Sequence, residues 1–122
     1  MSESRNEVTA VKNYIYQHYD EDLNLEMLAD KVYLSSGYLS FIFKKETGMN
    51  LNRFIRVFRM EKAKELLMCS SKKASDIGYE VGYKDAHYFS YIFKKIQKCT
   101  PREYRLRGRQ EENDKEEKDI VE

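Results

Sequence analysis

The octapeptide Tyr38-Leu-Ser-Phe-Ile-Phe-Lys-Lys45 returns fifty residues later as Tyr88-Phe-Ser-Tyr-Ile-Phe-Lys-Lys95. Six of the eight positions are identical and the other two are conservative. The flanks correspond as well. Leu28, Ala29 and Val32 precede the first copy; Ile77, Gly78 and Val81 precede the second, which has one extra residue in its turn. Phe54 and Tyr104 follow at the same offset. A solenoid needs three or more repeats, so two copies mean a duplicated module. Each copy reads as a short helix, a turn of about four residues and a second, Lys-rich helix, the layout of a helix-turn-helix.

Working outward, the apolar spacing predicts an all-α chain of about seven short helices and no strand. The first runs from Glu7 to Tyr19, with Val8, Val11, Ile15 and Tyr19 on one face. Asn24 caps a helix over Leu25–Val32, and Ser35 or Ser36 caps the next, with Gly48 at its left-handed end. Asn50 caps a longer helix carrying Phe54, Ile55, Phe58, Ala63, Leu66 and Leu67. A short helix with Ile77 and Val81 ends at Gly82, and Asp85 caps the one after it. Thr100-Pro101-Arg102-Glu103 reads as a capping box with proline in the first turn. Gly108 is expected to close that last helix, leaving an acidic, disordered tail. The domain reading is a first helix-turn-helix subdomain at 7–50, a connecting helix at 51–69, a second subdomain at 70–108 and the tail at 109–122.

The repeated helix has two faces. In the first copy Tyr38, Leu39, Ile42 and Phe43 anchor, leaving 36, 37, 40, 41, 44 and 45 outward. In the second, Tyr88, Phe89, Ile92, Phe93 and Ile96 anchor, leaving 86, 87, 90, 91, 94 and 95 outward. An amphipathic helix with lysines on its wet side is an ordinary bundle component. Phe41 and Tyr91 break that pattern, as aromatics at matching outward positions. Two explanations fit: they meet thymine methyls or sugar edges in a DNA groove, or they pack on another helix or a partner domain.

Composition narrows the function classes. The chain has 122 residues, 35% charged and 41% hydrophobic, with five glycines, one proline, two cysteines and no tryptophan. That excludes a large multidomain enzyme and argues against a loop-rich β-sandwich. Cys69 and Cys99 make no disulfide framework, and no apolar run reaches the roughly 20 residues that span a bilayer. A cytoplasmic protein is expected. The net charge of +1 conceals an asymmetry: residues 109–122 hold three basic and seven acidic groups, leaving 19 basic and 14 acidic in 1–108. Basic groups concentrate in 36–73 and 84–109, around the two repeated helices. The acidic end is expected to temper non-specific attraction to polyanions.

The ordered set Leu28-Ala29, Val32, Tyr38-Leu-Ser, Phe43-Lys-Lys45, Gly48, Phe54-Ile55, Arg59, Ala63 and Leu66-Leu67 resembles the C-terminal DNA-binding domain of the AraC/XylS family of bacterial transcription regulators. The more specific half is Asp76-Ile-Gly78, Val81-Gly-Tyr83, Asp85, Tyr88-Phe-Ser90, Phe93-Lys-Lys95 and Thr100-Pro-Arg-Glu-Tyr-Arg105. The resemblance covers residues 7–108. It implies two helix-turn-helix subdomains joined by a connecting helix, whose recognition helices enter successive major grooves of double-stranded DNA. A seventeen-residue connector is about 25 Å long, and side-chain reach with DNA bending covers the rest of the roughly 34 Å groove repeat. Carried over by position, one reading surface is Ser36, Gly37, Ser40, Phe41 and Lys44, and the other is Ala86, His87, Ser90, Tyr91 and Lys94. Lys45, Arg53, Lys95, Thr100 and Arg102 fall at phosphate-contact positions.

The chain also departs from that family. Many members have arginine where Phe41 and Tyr91 stand, which predicts weaker guanine readout and more reliance on methyl contacts and shape. Gly78 replaces a usual alanine, and Lys98 replaces a usual glycine. Family members often carry a sensor or receiver domain before this one; the polar lead Met1–Asn6 suits a chain starting at such a domain boundary. RNA polymerase is an expected partner of an activator of this kind. His18, His87, Cys69 and Cys99 show no metal-binding spacing, and neither a phosphate loop nor a nucleophile elbow occurs. No cofactor, metal or catalysis is expected. The competing reading is a helical protein-interaction module that uses the Phe41 and Tyr91 patches and ignores DNA.

Overall fold

The computed structural model describes residues 2–121, with side-chain surroundings described for 5–115. Seven helices follow in order: α1 (Ser2–His18), α2 (Leu25–Lys31), α3 (Ser36–Thr47), α4 (Leu51–Cys69), α5 (Ala74–Glu80), α6 (Ala86–Gln97) and α7 (Pro101–Val121). Among the described residues there is no strand, so the all-α expectation holds. The chain forms two compact units, Met1–Arg59 and Met60–Glu122, with the division inside α4.

The helix starts follow from local side-chain chemistry. Asn24 Oδ1 accepts the Met27 N–H at 2.8 Å, and Ser35 Oγ accepts the Tyr38 N–H at 3.2 Å. Asn50 Oδ1 accepts the Arg53 N–H at 2.8 Å, while Asp85 Oδ1 accepts from His87 and Tyr88 at 2.8 and 3.3 Å. At α7 the box closes in both directions: the Thr100 N–H donates to Glu103 Oε1 at 3.0 Å, and the Glu103 N–H donates to Thr100 Oγ1 at 3.1 Å. Each such cap satisfies donors the helix itself leaves unpaired, and is worth roughly 1 kcal/mol.

In the first unit, α1 buries Val8, Val11 and Ile15 against Leu28 and Ala29 of α2, Leu39, Ile42 and Phe43 of α3, and Leu51 and Ile55 of α4. In the second unit the buried apolar set is Met60, Ala63 and Leu67 of α4, Ile77 of α5, Val81 and Tyr83 after it, Phe89, Ile92 and Phe93 of α6, and Cys99. Equivalent rings close the two units. Phe43 meets Phe54 edge-on at 5.1 Å and 85°; Phe93 meets Tyr104 at 5.7 Å and 77°. An arginine also closes each. Arg59 donates from Nε and Nη2 to the carbonyls of Tyr19 and Glu21 beyond the end of α1, at 2.7 and 2.8 Å. Arg105 donates likewise to Leu67 and Ser70 at the end of α4, at 2.9 and 3.1 Å.

Three expectations are corrected. Tyr38 and Tyr88 are not anchors; they stand 47% and 53% exposed. The core reaches only Leu39, Ile42 and Phe43 in α3, and Phe89, Ile92 and Phe93 in α6, so the first-turn tyrosines lie beyond its edge. Gly108 does not close α7, which runs on to Val121 in place of a disordered tail from 109. Arg, Gln, Glu and Lys are strong helix formers that outweigh one interior glycine at about 1 kcal/mol. Gly108 instead admits Met68, whose Sδ takes the space a Cβ would need. Finally, α1 begins at Ser2, not at Glu7.

The two turns share one backbone device. After α2, the Tyr33 N–H bonds the Asp30 carbonyl and the Leu34 N–H bonds the Ala29 carbonyl, at 3.2 and 3.0 Å. After α5, Gly82 bonds Tyr79 and Tyr83 bonds Gly78 in the same pattern, at 3.1 and 2.9 Å. This paired helix ending needs a left-handed residue: Gly82 supplies φ 107°, Tyr33 supplies φ 59°. Helices α3 and α6 end the other way round, on Gly48 at φ 78° and Lys98 at φ 65°. A left-handed L-residue costs roughly 1–2 kcal/mol. Lys98→Gly therefore raises stability by about 1 kcal/mol, part of the gain being lost to unfolded-chain entropy; a lowered urea midpoint contradicts this.

Gly78 has a different cause. A Cβ there would lie 2.8 Å from Phe89 Cγ, inside contact distance. The first copy holds Ala29 and Leu39 at these positions, a larger residue on α2 facing a smaller one on the next helix. The pairs conserve volume across the joint. Gly78→Ala is expected to destabilise by about 1–2 kcal/mol, since overpacking outweighs the better helix propensity. Adding Phe89→Leu recovers part of that loss. Additive effects in the double-mutant cycle refute the coupling.

Candidate nucleic-acid interface

The buried stripe of α3 fixes what the helix presents outward. With Leu39, Ile42 and Phe43 inside, Gly37, Ser40, Phe41 and Lys44 fall one above another at three- and four-residue steps on the open side. All four are exposed, Lys45 beside them is exposed, and Ser36 in the first turn is half-buried. In the second unit α6 repeats the arrangement. His87, Tyr91, Lys94 and Lys95 are exposed, while Ala86 and Ser90 are half-buried. Phe41 is 64% and Tyr91 61% exposed. Neither ring is consumed by packing within the chain, which removes packing on another helix of this chain and leaves a DNA groove or a partner domain as what they meet. Lys95 Nζ lies 6.0 Å from the Tyr91 ring centre, and this cation adds charge beside the ring.

The remaining candidates sit at helix starts. Arg53 is exposed in the first turn of α4, and Arg102 is exposed in that of α7. Thr100 is half-buried, with its N–H donating to the Glu103 carboxylate and its hydroxyl oxygen accepting from the Glu103 N–H. The lysine pairs Lys44–Lys45 and Lys94–Lys95 occupy last turns, where a cation also complements the helix dipole. Lysines there have a structural benefit of their own. Two open aromatics do not.

Sequence reasoning missed Tyr38 and Tyr88 as surface groups. Each lies in the first turn of its helix, the part that a helix-turn-helix places nearest base edges. The available signal was their identity: both copies keep a tyrosine, with a polar tip, where a pure anchor would be aliphatic. Arg59 and Arg105, by contrast, are bound to backbone carbonyls and belong to the scaffold.

Among the described residues no cluster of His, Cys, Asp and Glu is arranged to hold a metal, and no helix is long and apolar enough to cross a membrane. Among the described residues, the titration shift that stands out lies at the α7 cap. Glu103 is held below its ordinary 4.5 by the hydrogen bond from the Thr100 backbone, then by that from its side chain, with Arg107 and Lys94 adding favourable charge. A lowered folded pKa gives stability that is present above the ordinary value and lost as pH falls through the folded one. Glu103→Gln should therefore flatten the acid limb of stability below pH 4.5. An identical pH profile from urea melts contradicts that role.

Comparison with known proteins agrees with this geometry. The family model described as a helix-turn-helix domain matches residues 28–107. The regulatory protein PocR of Salmonella typhimurium is 38% identical over 92 residues, which cover 75% of this chain and 30% of PocR. The C-terminal domain of the two-component response regulator yesN from Fusobacterium nucleatum superposes with a TM-score of 0.77 at 40% identity, covering 80% of this chain and 95% of that one. That of AraT, a response regulator from Geobacillus stearothermophilus, gives 0.80 at 38% identity, covering 82% and 84%. The fold and the two open helix faces define a helix-turn-helix DNA-binding domain. The chain belongs to the AraC/XylS-type family of DNA-binding transcription regulators. It spans about a third of the length of the first curated relatives it matches, 34% and 30%.

Proposed function

We propose that each unit lays the open face of its second helix in a major groove of one duplex, regulating transcription from the site so read. The observation that carries this is the pair of equivalent aromatics, Phe41 and Tyr91, 64% and 61% exposed on faces that also carry Ser40, Lys44, Ser90 and Lys94. Ser36, Gly37, Ser40 and Phe41 meet base edges in one half-site, with Ala86, His87, Ser90 and Tyr91 in the other; Tyr38 and Tyr88 join them from the first turns. Apolar contact with thymine methyls takes the place of arginine-to-guanine readout. Lys44, Lys45, Arg53, Lys94, Lys95, Thr100 and Arg102 contact phosphate and set position. Two readers in one chain make a two-fold axis unnecessary, and the half-sites lie on successive groove segments.

The domain acts by binding, without a catalytic step or cofactor. As part of a longer regulator it would take its signal from a preceding sensor or receiver domain, and RNA polymerase is the partner of an activator built this way. The cytoplasm is where such a protein meets both DNA and polymerase.

Selection of bound duplexes from a random pool yields the probe, and its affinity is then followed against salt. Neutralising phosphates gives a steep negative slope of log K on log salt. Lys44→Ala and Lys94→Ala each weaken binding on every duplex and shallow the slope by about 0.9 for each phosphate left without its cation. Ser40→Ala and Ser90→Ala change which sequences are preferred more than they change overall affinity. Absence of binding to any duplex at low salt favours the protein-interaction module instead. Uniform losses from the serine variants sink the assigned reading face.

A further inference from the structure

Tyr33 combines two features that packing does not explain. Its backbone is held at φ 59° in the paired helix ending after α2, where the second unit uses Gly82. Its side chain is 95% exposed, the most open of the large apolar residues described, so burial returns nothing for the unfavourable backbone. Lys98 is strained in the same way, but an exposed lysine is an ordinary surface group; an exposed tyrosine ring is not. Strain retained without local compensation points to a group positioned for something outside the chain.

The place of Tyr33 says what that is. It stands two residues before Ser35, the N-cap of α3, at the joint between the two helices of the first module. When a recognition helix enters the major groove, the helix before it crosses the sugar-phosphate backbone, and the joint between them passes beside that strand. Tyrosine hydroxyls are among the side-chain donors that bind phosphate oxygens. A neutral donor also suits this spot, since Asp30, exposed in the last turn of α2, would repel a phosphate if no donor intervened. The hydrogen bonds from Tyr33 and Leu34 to Asp30 and Ala29 fix the backbone from which the ring projects, so little freedom is lost on contact.

We propose that Tyr33 is a DNA-backbone contact whose hydroxyl donates a hydrogen bond to a phosphate oxygen flanking the half-site read by α3, and that the left-handed turn is tolerated to aim it. This rests on the DNA-binding reading above and adds to it a residue that the reading faces do not include.

The test uses the whole chain, the duplex it selects, and two variants, each measured for urea midpoint and for affinity at several salt concentrations. Tyr33→Gly relieves the strained backbone, so its urea midpoint rises while binding weakens about 10- to 150-fold, the scale of one hydrogen bond to a charged group. Tyr33→Phe keeps the ring and the turn; its midpoint is unchanged and its affinity falls by a similar factor. Neither removes a charge, so the slope of log K on log salt stays that of the parent, unlike the lysine variants. Stronger folding with opposite-signed binding is an outcome that a merely structural role does not produce. Parent-like affinity in Tyr33→Gly overturns the proposal, and parent-like affinity in Tyr33→Phe overturns the hydroxyl contact. If the parent chain binds no duplex, the DNA reading fails with it; if the parent binds and the variants match it, only the role of Tyr33 fails.

Discussion

Everything outward in each module depends on how few side chains its second helix buries. Twelve residues form α3, and three of them, Leu39, Ile42 and Phe43, are buried; α6 does the same with Phe89, Ile92 and Phe93. That stripe is narrow, so its position sets the rotation of the helix closely. The last ring of each stripe is gripped edge-on by Phe54 or Tyr104, which stops the helix from rolling. Turning either helix by one residue, about 100°, would drive Ser40 or Ser90 inward and bring a buried aliphatic to water. The open face is therefore a consequence of core packing, and the exposed set needs no further positioning by loops.

Much of this was legible because capping is local chemistry. Asn24, Ser35, Asn50, Asp85 and the Thr100–Glu103 box each act across two or three residues, so the sequence alone identifies them. The repeat supplied the helix pairing, and its i, i+3, i+4 spacing supplied the buried stripe. What was not legible depends on distant neighbours. Tyr38 sits one turn before Ile42 and shares its face by periodicity, yet whether that turn is covered depends on what lies opposite. Gly108 is similar: glycine marks helix ends and close approaches alike, and only the position of Met68 decides between them. The two scaffold arginines were visible as residues but not as caps, because their carbonyl partners lie 35 to 40 positions away.

Comparing the two copies separates what the fold demands from what each copy adds. Both joints need a fixed volume, met by Ala29 with Leu39 in one and Gly78 with Phe89 in the other. Both need a guanidinium on the carbonyls at a helix end, yet Arg59 lies five residues after Phe54 while Arg105 lies one after Tyr104, a displacement of about one helical turn. The demand survives and the residue moves. Where the demand is a left-handed backbone, each copy meets it once with glycine and once without, at Tyr33 and at Lys98.

The same comparison bears on the reading faces. Ser40 and Ser90 match, as do Lys44 and Lys94, so two of the five positions on each face offer the same donors in the same places. The differences fall at Ser36 against Ala86, both half-buried, and at Gly37 against His87 and Phe41 against Tyr91, all exposed. A bare backbone in the first turn of α3 allows close approach but reads nothing by itself; an imidazole at the equivalent point of α6 both donates and accepts. Tyr91 adds a hydroxyl to the ring that Phe41 presents. The second face thus carries more hydrogen-bonding groups than the first, while the first has an aromatic donor at its turn, Tyr33, where the second has glycine. On the proposed reading, two modules built on one plan would divide the work unequally: polar readout would concentrate on α6, and the first module would lean on shape, methyl contact and the strand beside its turn.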